Sequence, residues 1–292
     1  MNISIQKWKL GAIVILVASL ISCGGGDNNG NTLATGKYTG KTSEAEITAT
    51  SIKNFDANTV TSTGLVKIIK SDIMPFNKSP CVSGKVLNKF TAVNTAGEFS
   101  GSVTYFKCLN ANGIIFDGLI VISGKKDPVT DKLERLALNF KNVTIKENNS
   151  ELVLNGEFNV VNTTSEKITA NLVVEDKITG ATYKLENFVF EVTVTTDKTM
   201  ETISGKYYDS TKGYVTIITD KPLVTMNGAT YPESGIIRII GASKTLNKKA
   251  TIEITYQPGN NYILRIDFNG DGTYEVDQNC NWSQACNIAA VL

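Results

Sequence analysis

The stretch LERLALNFKNVTI (133–145), followed by KENNS (146–150) and ELVLNGEFNVV (151–161), decides the fold. Leu136, Leu138 and Phe140 alternate with Arg135, Ala137 and Asn139, and a period of two places one set of side chains on one face of a strand. The second segment answers with Leu152, Leu154, Phe158 and Val160, and the Asn- and Ser-containing stretch between them has turn chemistry. Two such runs joined by a short polar turn predict an antiparallel hairpin. Working outward, 86–93, 98–108, 114–123, 167–175, 182–196, 202–208 and 214–219 carry the same alternation or β-branched runs. Turn signals separate them at 94–97, 110–113, 126–128, 176–180 and 197–198. Parallel strands would need crossover connections of a dozen or more residues, and these gaps are too short. The prediction is an all-β chain built on a large antiparallel meander: a curved sheet, a sandwich or an open barrel.

A weak repeat runs through the meander. Phe106-Lys107-Cys108 is followed by Ile115-Phe116-Asp117-Gly118. Phe140-Lys141-Asn142 is followed by Val153-Leu154-Asn155-Gly156, and Asn187-Phe188 by Ile203-Ser204-Gly205. A glycine inside a strand marks a bulge or a bend, so the sheet is expected to be sharply twisted or curved. Near Asp220-Lys221-Pro222 the pattern changes. Strands are expected again at 235–241, 249–256, 262–268 and 273–277, which form a small C-terminal β unit over 223–292 beside a main domain over 37–222. At most one short helix is expected, over 51–71, where Ile52, Phe55, Val60, Leu65, Val66 and Ile69 approach helical spacing.

The loop 267–275 carries the one pattern with chemistry in it. Asp267, Asn269, Asp271 and Glu275 set side-chain oxygens at positions 1, 3, 5 and 9 of a calcium-loop pattern. Gly272 stands at position 6, and the Thr273 carbonyl is available at position 7. Position 12 is Gln278 rather than a bidentate glutamate, and the flanks read as strands. Two readings stand side by side: a weak structural Ca2+ site, and a β-hairpin turn whose Asn, Asp and Gly supply positive φ angles.

Histidine is absent, which excludes Ser-His-Asp and Cys-His catalysis. Lys and Arg number 29 against 28 Asp and Glu, scattered without blocks, so there is no footprint for nucleic acid. Cys81, Cys108, Cys280 and Cys286 allow three disulfide pairings. Cys81–Cys108 and Cys280–Cys286 are favoured because each pair sits in its own segment; a zinc site competes only weakly, since the spacings match no ligand pattern.

The chain opens with Lys7 and Lys9, an apolar run from Leu10 to Ile21, then Cys23-Gly24-Gly25-Gly26. That run is about a dozen residues, short of the ~20 needed to span a bilayer as a helix, and reads as a cleaved signal over 1–22. Leu20-Ile21-Ser22-Cys23 resembles the lipobox of bacterial lipoproteins. The resemblance implies a thioether-linked diacylglycerol on Cys23, cleavage before it and acylation of the new amine. Gly24, rather than Asp, resembles an outer-membrane sorting signal. Residues 23–36 then read as the lipidated cysteine and a flexible Gly- and Asn-rich tether. The expected location is the bacterial cell envelope, at the outer membrane, with the lipid bilayer as a partner through Cys23.

Several segments together look familiar: Pro80-Cys81-Val82-Ser83-Gly84, Thr104–Cys108, Leu185–Phe188, Ser204–Tyr208, Gly213–Thr219, and Asp267–Glu275 followed by Trp282. Their order is similar to a group of uncharacterised proteobacterial lipoproteins, which have a paired-cysteine β segment and a C-terminal DxNGDGTYE hairpin. The resemblance implies location and fold, and carries no catalytic residue with it.

Function is therefore expected to be non-catalytic: binding or scaffolding of an envelope protein, a glycan or a lipid. Two other classes compete. A carrier of an apolar ligand would use Phe99, Tyr105, Phe116, Phe140, Phe158, Phe188 and Phe190 as lining, though such residues more often form ordinary core. A glycan hydrolase would need two facing carboxylates, with Glu134, Glu151, Glu157 and Asp267 as candidates. Tyr207, Tyr208 and an exposed Trp282 could serve glycan contact, with one tyrosine of the pair turned inward.

Overall fold

The computed structural model describes residues 38–48, 54–55, 81–283 and 286–287. It contains β1 (Asn54–Phe55), β2 (Ser83–Phe90), β3 (Glu98–Leu109), β4 (Ile115–Lys126), β5 (Leu133–Glu147), β6 (Ser150–Asn162), β7 (Glu166–Asp176) and β8 (Thr182–Val194). Then come β9 (Lys198–Asp209), β10 (Gly213–Met226), β11 (Ser234–Ala242), β12 (Lys249–Gln257), β13 (Asn261–Asp267), β14 (Val276–Asn281) and β15 (Cys286–Asn287). The strands β2 to β14 form one 13-stranded sheet in strict sequence order, each paired with its chain neighbours, and β1 pairs separately with β15. The pairings are antiparallel throughout, and the sheet is not closed into a barrel. Among the described residues there is no helix. The helix expected over 51–71 falls outside the described residues, except for Asn54 and Phe55, which are in β1.

The strands are long. Fifteen residues in β5 correspond to about 50 Å of extended chain, against a usual five or six residues per strand. They do not stay straight. In β5, Leu136, Leu138 and Phe140 are buried, and then Val143 and Ile145. The inward set passes from even to odd numbers because a bulge between Phe140 and Val143 inserts one residue. Without it Val143 and Ile145 would turn to the outer face. The same switch occurs in β3 between Tyr105 and Cys108, and in β8 between Glu186 and Val189.

Each bulge is built alike. Lys107, Asn142 and Asn187 take positive φ, at 46°, 51° and 49°. Their N–H groups, turned out of the ladder, donate to Asp117 Oδ1 (3.3 Å), Asn155 Oδ1 (2.9 Å) and Asn171 Oδ1 (2.8 Å) on a neighbouring strand. Opposite Phe140 stands Gly156, with φ 120°. A Cβ there would lie 2.2 Å from the Asn171 carbonyl oxygen, so only glycine lets the strands approach. Gly118 and Gly205 hold the matching places in β4 and β9. Together these positions draw a crease across β3 to β9. It continues into β10, where register shifts surround Pro222. The repeat legible in the sequence is this crease.

Buried residues on both sides of the crease, from Val103 in β3 to Val276 in β14, belong to one hydrophobic cluster. The sheet bends over its own inner face, and both walls of the core come from it. Pro222 lies inside β10 at a bulge, where its missing N–H is tolerated. The expected division at 222/223 therefore falls within a strand that pairs with β9 on one side and β11 on the other.

The segment 38–48 clips onto the rim of this sheet. Lys41 N–H donates to Ser210 O (3.0 Å), Tyr214 N–H to Ser43 O (2.9 Å) and Ala242 N–H to Ala45 O (2.8 Å). Ala45 and Ile47 are fully buried. This strap thus bonds to the start of β10 and to the end of β11.

Candidate functional site

A cleft of about 700 Å3 lies on the rim opposite the strap, where the β2–β3 turn and the adjoining ends of β4 and β5 meet the end of β6. That volume is within the usual range of ligand sites. Phe99 and the exposed Val161 supply apolar surface, while Leu136 and Val160 of the lining are buried. Gly124 makes room for the Phe99 ring: a Cβ there would stand 2.4 Å from Phe99 Cζ. Asn94 shapes the turn beside it, its Oδ1 accepting from Ala96 N–H (3.0 Å) and Glu98 N–H (2.9 Å). Thr91 Oγ1 donates to Ser100 O (3.0 Å). Arg135 Nη2 meets Glu98 Oε1 at 3.1 Å, both half-exposed, and Glu98 is the one carboxylate in the described lining. Register brings these two together across β4: Glu98 pairs with Lys125, and Lys125 with Arg135. Sequence reading missed them because neither belongs to a motif; only the strand register makes them neighbours.

Of the seven aromatic residues considered as a ligand lining, Phe99 alone borders the cleft. Tyr105, Phe116, Phe140, Phe158 and Phe190 are buried in the cluster, and Phe188 packs against it. Burial pushes the Tyr105 phenol up to about 12. The four acids considered for hydrolysis are dispersed. Glu134 pairs with Lys125 at 2.8 Å and Glu151 with Lys146 at 3.1 Å; Glu157 is exposed in mid-β6, and Asp267 ends β13.

The loop 267–275 connects β13 to β14, as the hairpin reading expects. Asp267 is buried, and its two oxygens accept from Gly270 N–H (2.6 Å) and Gly272 N–H (2.8 Å). Asn269 Oδ1 accepts from Asp271 N–H, Asp271 Oδ1 from Thr273 N–H, and Glu275 Oε2 from Phe268 N–H (2.7 Å). The Thr273 N–H holds the Asp271 carboxyl below the usual carboxylate range. Among the described residues no three His, Cys, Asp or Glu side chains gather as a metal site.

The favoured disulfides are both present, with Cα atoms 5.1 Å apart for Cys81–Cys108 and 5.5 Å for Cys280–Cys286. Cys23 lies outside the described residues. Trp282 corrects an expectation of exposure. It is 3% exposed, stacked on Tyr231 at 5.1 Å and on Tyr256 at 5.1 Å, with Tyr262 tilted against it at 5.0 Å. These rings come from β12, β13 and the β10–β11 turn, and they cap the C-terminal flank of the sheet.

Tyr207 faces the core and Tyr208 the other side, as the alternation of a strand expects, and both are buried, where only the inward ring was expected to be covered. The strap accounts for this, since the Tyr38 ring packs edge-on against Tyr208 at 5.6 Å. Outside the sheet, Tyr208 donates its hydroxyl to Glu186, and Lys184 Nζ sits 4.8 Å over its ring. Burial opposes ionisation of Glu186, yet the bonds from Lys184 and Tyr208 hold its carboxyl below the usual range. On the inner side Tyr183 stacks on Tyr207, and burial, with Asp209 and Asp176 nearby, pushes the Tyr183 phenol up to about 12. No protein-family model, curated protein or solved structure matches the chain.

Proposed function

We propose that this is a lipid-anchored protein of the bacterial cell envelope, held at the outer membrane through acylated Cys23, and that its folded sheet binds or scaffolds another envelope component without catalysing a reaction. The observation that carries the reading is the lipobox Leu20–Cys23 followed, after a Gly- and Asn-rich stretch, by a strap bonded into the sheet from Lys41 onward. A pull on the anchor would be received by backbone bonds to the β9–β10 turn, β10 and β11. Mass spectrometry of the mature N-terminal peptide is expected to find Cys23 at its start with acyl chains attached. Cys23→Ala is expected to leave the protein in the soluble fraction. An unmodified Cys23 in a soluble chain would overturn the anchor. Protease treatment of intact cells then assigns the face: shaving means outward exposure, and survival until the outer membrane is opened means the periplasm.

A second reading, carriage of an apolar ligand, is favoured by the cleft with Phe99 and Val161 at its surface. Under it, protein extracted from membranes retains a small ligand in native mass spectrometry, and Ala137→Trp in the cleft releases it. A chain that comes through ligand-free in both forms leaves binding of a macromolecule as the account.

A further inference from the structure

We infer that the rim holding the strap lies against the bilayer, with Leu246 and Ile178 dipping into its interface, while the cleft on the other rim is held away from the lipid. The inference rests on the anchor at Cys23 proposed above and goes beyond it by fixing which part of the molecule touches lipid. In a meander, successive turns alternate between two rims. The strap, the β7–β8 turn, the β9–β10 turn and the β11–β12 turn all share one of them. Thr182 N–H donates to Ser210 Oγ, which ties the first two turns together, and Lys41 N–H donates to Ser210 O beside them.

Chain length then limits where the lipid can be. Cys23 and Tyr38 are separated by about 15 peptide steps, which reach at most about 50 Å; a Gly-rich chain of that length has a root-mean-square span of about 20 Å. A strand such as β8 carries the chain about 40 Å further before it reaches the opposite rim. The strap rim is therefore the one the anchor keeps at the membrane.

Two turns on that rim present large aliphatic side chains to solvent. Leu246 is 86% exposed and Ile178 is 64% exposed. Neither is needed for its turn. The β11–β12 turn is closed by Thr245 N–H to Ser243 Oγ (3.0 Å) and by Lys248 N–H to Thr245 O (3.1 Å). The β7–β8 turn is closed by Ile178 N–H to Asp176 Oδ1 and by Gly180 N–H to Asp176 O, both at 2.8 Å. Lys177, Lys244 and Lys248 flank these tips, with stems long enough to lie along acyl chains while the ammonium stays at headgroup level. The other rim also exposes apolar residues, Val129 and Val194, but it lies about 40 Å beyond the strap, roughly twice the root-mean-square span of the anchor chain, and so provides the control.

The test uses the mature lipidated chain in phosphatidylethanolamine and phosphatidylglycerol vesicles, with and without brominated acyl chains. Of the two tryptophans, Trp8 lies in the signal and Trp282 is buried, so an introduced tryptophan reports its own site against a parent baseline. Leu246→Trp is expected to emit about twofold less in brominated than in ordinary vesicles, as for a side chain ~5–10 Å into the interface. Val129→Trp, beside the cleft, is expected to emit equally in both. Equal quenching of the two, stronger quenching of Val129→Trp, or no quenching of either on protein that floats with the vesicles overturns the inference and leaves the anchor intact. Protein that does not float removes the anchor, and this inference with it.

Discussion

One rim of the sheet is finished in two different ways. At its C-terminal flank Trp282 lies among Tyr231, Tyr256 and Tyr262, and the Cys280–Cys286 bridge closes the chain behind it. At its N-terminal flank β2 is exposed along almost its whole length, and the cleft opens between Phe99 and Arg135. A bent open sheet has two flanks to protect, and here one is sealed by aromatic packing while the other keeps accessible surface. The difference teaches where stability is concentrated and where contact with something else has room.

The largest expected effect tests that division directly. Trp282→Ala is expected to cost about 3–5 kcal/mol in urea unfolding, the range for truncating a buried large aromatic, and Phe99→Ala in the cleft less than about half of that. Equal losses would break the comparison. The disulfides come next. Removing Cys81–Cys108, whose partners are 27 residues apart, is expected to cost about 1 kcal/mol more than removing Cys280–Cys286, with a separation of 6, because the longer loop regains more chain entropy. The reverse order would mean that packing around Trp282, rather than loop closure, sets the value of its bridge.

The crease can be sharpened with two positive-φ glycines in different surroundings. Gly156→Ala puts a Cβ against the Asn171 carbonyl and is expected to lower stability by more than about 2 kcal/mol. Gly113→Ala, in an open turn at φ 81°, carries only the positive-φ cost of about 1 kcal/mol. Asp267→Ala leaves the N–H groups of Gly270 and Gly272 without their acceptor, for about 1–2 kcal/mol, and the loss is expected to be the same in EDTA and in calcium. A calcium-dependent loss would instead make the loop a cation site. The most diffuse effect is alkaline. Tyr105 and Tyr183 ionise near 12 in the fold against about 10 in the unfolded chain. Unfolded tyrosines thus lose their protons first. Stability that is full below pH ~10 is expected to fall as pH rises toward ~12, followed by melting temperature alongside phenolate absorbance.

Much of the fold could be read from alternation alone. Twelve of the thirteen strands of the sheet lie within about four residues of their expected places, because Leu136-x-Leu138-x-Phe140 and its counterparts leave little choice of face; β10 runs seven residues past its expected end at 219. The crease was half legible. Gly118, Gly156 and Gly205 announced bends, but the bulges facing them became visible only with register, since an inserted residue such as Asn142 looks like any polar strand position. Pro222 misled for a related reason: proline breaks a regular ladder but not one already interrupted by a bulge. The burial of Trp282 and Tyr208 was not legible because their covers, Tyr231 and Tyr38, are distant in sequence. The cleft was illegible for the same cause, since Glu98 and Arg135 meet across an intervening strand.

The meander also orders the birth of the structure. Each strand from β3 to β14 finds its partner immediately before it in the chain, so a chain emerging from its N-terminus can zip up hairpin by hairpin with only short loops to close. Two parts cannot follow that schedule. The strap must wait for Tyr214 and Ala242, and β1 must wait for β15, at the far end of the chain. What is synthesised early is thus set in place late: the strap once β11 has been made, and β1 only once β15 has.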